Sequence, residues 1–420
     1  MLRLVIAFCF TQGAVSMARP AVSYRALALG ADERAVGVIA GVYALLPLFA
    51  AVPLGRWTDR GRCAPLLPAG VVLIAVGCGF SGTAGSLPAM AAWSGVMGLG
   101  HLCFVIGAQS LVARQSAPAE QDRNFGHFTI GASVGQLIGP VAAGLLVSER
   151  DGAMGPSSAL ALLVAAGVAA AGLTSLRRIE HRSADGPGRP GEASAGAGRV
   201  PVRGILRTRG VPAGILTSLA VLSAIDVLTA YLPVVGDARA IPPATVGLLL
   251  SLRAAATIGF RLVLTPLLRL LGRTVLLAGS CLFGGLLCAG LALPVPVWGL
   301  APMLALLGFC LGAGQPLSMT TVVRAAPDEA RSTALALRLT GNRLGQVAAP
   351  AAAGLVAGAT GPAAPFVLLG ALLVAAAWLG ARPGGPGGDR EPEPGSEPPP
   401  GRTNGAENRP GPLAPENYHR

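Results

Sequence analysis

Residues 135–144 read Gly135-Gln136-Leu137-Ile138-Gly139-Pro140-Val141-Ala142-Ala143-Gly144, and residues 345–354 read Gly345-Gln346-Val347-Ala348-Ala349-Pro350-Ala351-Ala352-Ala353-Gly354. Glycine, glutamine, proline and glycine recur at identical spacing, 210 residues apart. Three further pairs keep nearly the same register: Val36-Gly37 with Val246-Gly247, Gly61-Arg62 with Gly272-Arg273, and Ala117-Pro118-Glu120 with Ala326-Pro327-Glu329. One coincidence would mean little in a chain so rich in alanine and glycine. Four in register mean a duplicated unit.

The composition around these stretches excludes a soluble globule. Of 420 residues, 52% are apolar and 12% charged, against about 25% charged in an average soluble chain. The mean hydropathy is +0.61. Apolar runs of about one bilayer thickness fall near 4–27, 35–55, 64–84, 88–113, 125–147 and 156–176, and again near 211–233, 244–267, 274–294, 297–323, 333–358 and 363–381. The fold class expected is an all-α membrane protein of 12 transmembrane helices in two pseudo-symmetric six-helix bundles. Residues 1–176 form the first bundle and 211–381 the second. Between them, 177–210 is rich in Arg, Gly, Pro and Ser and reads as a flexible cytoplasmic linker, and 382–420 reads as a disordered cytoplasmic tail.

All 32 basic residues are arginine, and the formal charge is +12. In a soluble chain that surplus would point to nucleic acid. Here the arginines follow the loops instead, and no nucleic-acid partner is expected. With the N-terminus inside, 23 lie in cytoplasmic segments and three, Arg34, Arg150 and Arg239, in the opposite loops. Basic loops stay on the cytoplasmic side, so both termini are placed in the cytoplasm of a bacterial inner membrane, with the lipid bilayer as the protein's surroundings. A cleaved signal peptide at the first run is the rival reading. The run is long for a leader, and cleavage would leave eleven spans and broken halves. The cysteines, mostly inside apolar runs and unpaired in spacing, read as reduced packing residues.

The loop after the second span reads Gly55-Arg56-Trp57-Thr58-Asp59-Arg60-Gly61-Arg62. With twelve spans in two halves, it resembles the major facilitator superfamily, whose loop motif runs glycine, acid, base, glycine, base; here Trp57 stands in place of the usual leucine. The resemblance covers Leu2 to Ala381. It implies a gate at Gly55, Asp59, Arg60, Gly61 and Arg62 that locks the halves in the outward-open state. An acid at the C-terminal end of a helix opposes the dipole unless basic neighbours offset it, which suits Asp59 to a switch; a solvated turn that only sets topology is the plainer reading. In the fifth span, Gly131, Gly135, Gly139, Pro140 and Gly144 are similar to the antiporter motif of the drug and metabolite exporters. The same spacing also serves ordinary close packing of membrane helices.

Six arginines remain inside the spans: Arg19, Arg25, Arg253, Arg261, Arg338 and Arg343. Each costs about 2.5–3.5 kcal/mol near a helix centre, so they should face a cavity or a partner, with Arg25 and Arg338 near enough to span ends to snorkel. Asp226 is the one acid inside an apolar run. A cavity pair of Asp226 with Arg19 or Arg253 is expected, either as a proton-coupling site or as a permanent structural pair. His101 and His127 are the other titratable groups, read first as packing residues. The family's first, fourth, seventh and tenth spans line its cavity, so Gln12, Gln109 and Gln315 are candidate substrate contacts, with Asn342 and Arg343 on the eleventh. Gln136 and Gln346 hold equivalent repeat positions and are candidates to bond the halves together.

No phosphate-binding loop, metal-ligand cluster or nucleophile–base arrangement stands out, so neither an enzyme nor an ATP-driven pump is read, and no cofactor or metal is expected. The reading reached is a monomeric secondary transporter that exports a small organic molecule in exchange for protons by alternating access. The excess of arginine over acid leans toward an anionic substrate. Uptake of an organic anion or sugar by symport or facilitated diffusion is the alternative, and a non-transporting membrane sensor or scaffold is the alternative of another class.

Overall fold

A computed structural model describes residues 2–59, 63–116, 120–148, 150, 153–176, 202–208, 210–326 and 331–381. Among these, thirteen helices and no strand occur. The first half comprises α1 (Leu2–Ala28), α2 (Glu33–Asp59), α3 (Leu66–Thr83), α4 (Leu87–Gln115), α5 (Gln121–Leu146) and α6 (Met154–Leu176). A short α7 (Val202–Arg207) falls in the stretch read as linker, and the rest of 177–201, like the tail after 381, lies outside the described residues. The second half comprises α8 (Val211–Ala238), α9 (Pro243–Leu271), α10 (Arg273–Gly290), α11 (Val297–Ala325), α12 (Arg331–Thr360) and α13 (Ala364–Ala381). Eleven of these are long and apolar enough to cross a membrane. The twelfth long helix, α12, falls short because it carries Arg338, Asn342, Arg343 and Gln346, and it buries Arg338 and Asn342 rather than offering them to lipid. Its place in the packing is that of a span. It lies against α8 and α2 as α5 lies against α1 and α9.

The halves are packed alike. In the first, α1 packs on α5 and α6, α3 on α4 and α6, and α2 on α4. In the second, α8 packs on α12 and α13, α10 on α11 and α13, and α9 on α11. The duplication extends to helix ends. Gly30 closes α1 in a left-handed conformation, φ 79°, with the Ala31 N–H donating to Ala26 O at 2.9 Å. At the position 210 residues on, Ala240 adopts φ 50° and the Ile241 N–H donates to Gly236 O at 2.8 Å. Glycine takes this conformation freely, whereas alanine is strained in it. The sequence places the end of the seventh span at Pro233; α8 instead runs through that proline to Ala238, as membrane helices can when neighbours satisfy the freed carbonyl.

Two seams join the halves, and both are built from the repeated residues. At the α2/α12 seam a Cβ on Gly37 would stand 2.5 Å from Pro350 O and 2.7 Å from Gly354 Cα. At the α5/α9 seam a Cβ on Gly247 would collide with Pro140 O and stand 3.2 Å from Gly144 Cα. Only glycine allows backbones to approach so closely. Each seam lies toward the end that carries the connections 29–32, 239–242 and 361–363, opposite the start of α1 and the end of α13. Tyr231 reinforces it, its hydroxyl donating to Glu33 O at 2.7 Å. The two halves are therefore closed together at the end far from the start of α1 and the end of α13.

Candidate functional site

Between the seams, polar side chains that the apolar helices cannot leave in lipid gather into one connected chain. Asp226, on α8, is buried and accepts from Arg19 Nη1, on α1, at 2.6 Å. Arg19 Nη2 reaches the Asp226 carbonyl at 3.4 Å. The other carboxylate oxygen accepts from Gln346 Nε2, on α12, at 2.9 Å, and Gln346 Oε1 accepts from Arg343 Nη1 at 3.0 Å. On its opposite side the Arg19 guanidinium lies 5.3 Å from the ring centroid of Tyr43, on α2, a cation–π contact. Tyr43 Oη lies 2.7 Å from His101 Nδ1, on α4, and His101 Nε2 lies 3.1 Å from Gln12 Oε1, on α1. Gln12 Nε2 in turn donates to Ser16 Oγ at 3.3 Å. Because a carbonyl oxygen only accepts, Nε2 carries the imidazole proton and Nδ1 accepts from the tyrosine; both ring nitrogens of a neutral histidine are thereby engaged.

The Arg19–Asp226 pair crosses between the halves, so it parts if they swing apart. Its partners on both sides belong to one half each: Gln346 and Arg343 to the second, Tyr43, His101 and Gln12 to the first. Beside Arg19, toward the closed end, a cavity of about 20 Å³ is lined by Arg19, Ser23, Tyr43, Ser94 and Met97. That is room for about one water and not for an organic molecule.

Of the two arginines considered for Asp226, the structure pairs Arg19. Arg253 is 9% exposed, and no hydrogen bond or ion pair reaches its side chain among the described residues; its Nε is enclosed without a partner. Gln315 ties helices rather than facing a cavity alone: its Nε2 donates to Ser218 O at 3.2 Å, and its Oε1 accepts from Arg338 Nη2 at 2.8 Å. Arg338 therefore does not snorkel. It is buried, with further bonds to Gln315 O and Ser318 Oγ. Arg25, in the last turn of α1, clasps Gly155 O and Ala84 O at the ends of α6 and α3, at 3.2 and 2.9 Å. Arg239 makes the matching clasp in the second half, to Leu291 O and Ala292 O. Asn342 is buried with Oδ1 unpartnered, while Gln109 is exposed and makes no hydrogen bond among the described residues.

One expectation needs correction. Gln136 and Gln346 do not bond the halves together: Gln346 serves Asp226 within its own half, and Gln136 is exposed without a hydrogen bond among the described residues. Of the antiporter-like glycines, Gly131, Gly135 and Gly139 seat α5 against α1 at Val5, Gly13 and Ser16, and Gly144 alone meets the other half, at Pro243. The gate loop is described only in part. Gly55 has open space around it, Thr58 Oγ1 donates to Gly55 O at 2.7 Å, and α2 ends at Asp59. The Asp59 side chain, Arg60, Gly61 and Arg62 lie outside the described residues. Sequence reasoning missed Tyr43. The signal available was a lone tyrosine in an apolar run, one of only four in the chain.

A family model described as Major Facilitator Superfamily matches residues 4–304 and 236–415. The chain belongs to that superfamily. It is a multi-pass membrane transporter of that type and not an enzyme. No curated protein matches it in sequence. Solved superfamily structures share its fold at low identity. A point variant of the nucleoside transporter NupG superposes with a TM-score of 0.74 at 14% identity, covering 90% of this chain and 98% of that one. A bacterial homologue of the human lysosomal transporter Spinster, inward-facing and occupied, gives 0.71 at 13% identity over 90% and 95%. A POT family transporter in complex with a thioalcohol-conjugated peptide gives 0.69 at 14% identity over 90% and 94%.

Proposed function

We propose that this superfamily member is a proton-coupled exporter of a small organic anion, working by alternating access with Asp226 as the coupling carboxyl. The observation that carries the reading is the 2.6 Å pair between Arg19 and Asp226, which spans the two halves inside the apolar region. Rocking of the halves about a midplane site separates the pair, which makes Asp226 the carboxyl through which movement of the halves and of a proton are tied together in this reading. With the termini in the cytoplasm of an inner membrane, the closed end faces outward. The protein works as a monomer, since each half supplies one member of the pair. A small organic cargo fits relatives that include nucleoside and peptide transporters. Export follows from the likeness of the α5 glycines to the exporter pattern, and the surplus of arginine around Asp226 favours an anion. Gly55, Asp59, Arg60, Gly61 and Arg62 are the gate residues in this reading, on the family loop motif that they match.

The test is transport in proteoliposomes under an imposed pH gradient. A gradient that drives accumulation of an organic anion in exchange for protons, lost in Asp226→Asn, is the expected result. Accumulation along with protons would reverse the direction to uptake. Gradient-driven transport undiminished in Asp226→Asn would remove the coupling role.

A further inference from the structure

The backbone contacts of the two seams repeat, but the side chains laid over them do not. At the α2/α12 seam the Arg34 side chain runs across Gly358: a Cβ there would collide with Arg34 Nε and stand 2.5 Å from its Cγ and 2.9 Å from its Cδ. The Tyr231 hydroxyl, from α8, closes over the same seam. It donates to Glu33 O at 2.7 Å, and Cβ atoms on Gly37 and Gly354 would stand 2.6 and 3.1 Å from it. At the α5/α9 seam the counterparts of Arg34, Tyr231 and Gly358 are Ala244, Ala21 and Ser148. An alanine is too short to reach across, and the atoms nearest a Cβ on Gly144 are backbone atoms of Pro243 and Ala244.

Arg34 is also misplaced for its own helix. It lies in the first turn of α2, whose N-terminal end carries partial positive charge, whereas Gly358 lies in the last turn of α12, where the free carbonyls carry partial negative charge. A guanidinium in this place opposes the dipole of α2 and complements that of α12. The favourable contact exists only while α2 and α12, one from each half, stay together at this end.

Resting on the alternating-access part of the reading above, we infer that Arg34 and Tyr231 are positioning residues that form a one-sided latch. They hold the closed end shut at the α2/α12 seam and so set the balance between the two states of the transporter. The α5/α9 seam has no such side chains and closes by backbone contact.

Cysteine labelling of the full-length purified protein with a water-soluble maleimide, read site by site by mass spectrometry, tests this through two reporters. Ser23→Cys reports the closed end, since Ser23 is 3% exposed and lines the small cavity beside Arg19. Leu339→Cys reports the other end: Leu339 is 59% exposed and lies on the Pro350 face of α12, about three turns nearer its start. Opening of the closed end should speed labelling at the first and slow it at the second. Arg34→Ala and Tyr231→Phe should each shift the two rates in these opposite senses by about two- to fivefold. Arg34→Lys, which keeps the charge beside the end of α12, should stay near the parent rates. Gly37→Trp, which wedges the seam itself, should move both reporters at least as far. Rates unchanged in folded, monodisperse Arg34→Ala and Tyr231→Phe proteins, with the wedge still effective, would overturn the latch and leave alternating access standing. Faster labelling at both reporters would also overturn the latch, because it marks loosening without a change of state. A folded wedge variant that fails to move the reporters in opposite senses would overturn the alternating-access reading itself.

Discussion

The two seams of this molecule are near copies of each other, and the centre between them is not. At one seam Gly37 meets Pro350 and Gly354; at the other Gly247 meets Pro140 and Gly144, each residue 210 positions from its counterpart. In the centre the same register pairs Ser16 with Asp226, Arg19 with Thr229, Tyr43 with Arg253 and His101 with Leu311. Seams are made of backbone approach, which any duplicated helix pair can satisfy in the same way. An ion pair needs unlike charges. A single pair is left here because the duplication is broken: the cation stands in α1 and the acid in α8, while their counterparts are Thr229 and Ser16.

The largest effect expected is at that asymmetric centre. Arg19→Leu or Asp226→Leu should each cost about 3–5 kcal/mol by leaving a buried charge alone. The double variant should be less destabilised than either single one in denaturant unfolding of the detergent-solubilised protein. Additive losses would show that the pair is not coupled. Next come the seams. Gly37→Ala and Gly247→Ala should each destabilise by about 1–3 kcal/mol, and to a similar degree, because both place a methyl against a facing backbone. Melting temperatures that fall for one and not the other would break the equivalence of the seams.

Smaller differences sharpen the contrast. Gln346→Leu removes a hydrogen bond to a charged group and should cost about 1.5 kcal/mol, whereas Gln136→Leu at the equivalent position should stay within about 0.5 kcal/mol. Equal effects would mean that the first half conceals a matching site. Ala240→Gly should raise stability by about 1 kcal/mol by relieving a left-handed alanine, and Gly30→Ala should lower it by a similar amount. A melting temperature unmoved by Ala240→Gly would place the turn strain elsewhere.

Much of this was legible in the chain. Apolar runs gave the helices to within a few residues, the exception being α8, which passes Pro233 where a proline would stop a helix in water. The offset of 210 foretold which residues share a role, though not that Gly37 and Gly247 face Pro350 and Pro140. Asp226 stood out as an acid among apolar neighbours, but its partner did not, since Arg19 and Arg253 lie at comparable depth. Arg338 and Arg25 stood near span ends, where a long side chain can reach outward; in the structure Gln315 and Ser318 hold Arg338 inside, while Arg25 clasps the carbonyls of Ala84 and Gly155 at neighbouring helix ends.

The sequence by itself determined twelve helices, their duplication and the scarcity of acid among the intramembrane arginines, because helix length, repeat register and charge are properties of the chain read in one dimension. Only the tertiary structure decided that Arg19 takes Asp226, that Tyr43 and His101 extend the polar chain, and that Arg253 has no hydrogen-bond partner among the described residues. A helix apolar on nearly every face carries little record of which way it turns. Its rotation is fixed by the glycines against which its neighbours close, and that rotation selects the side chains that meet.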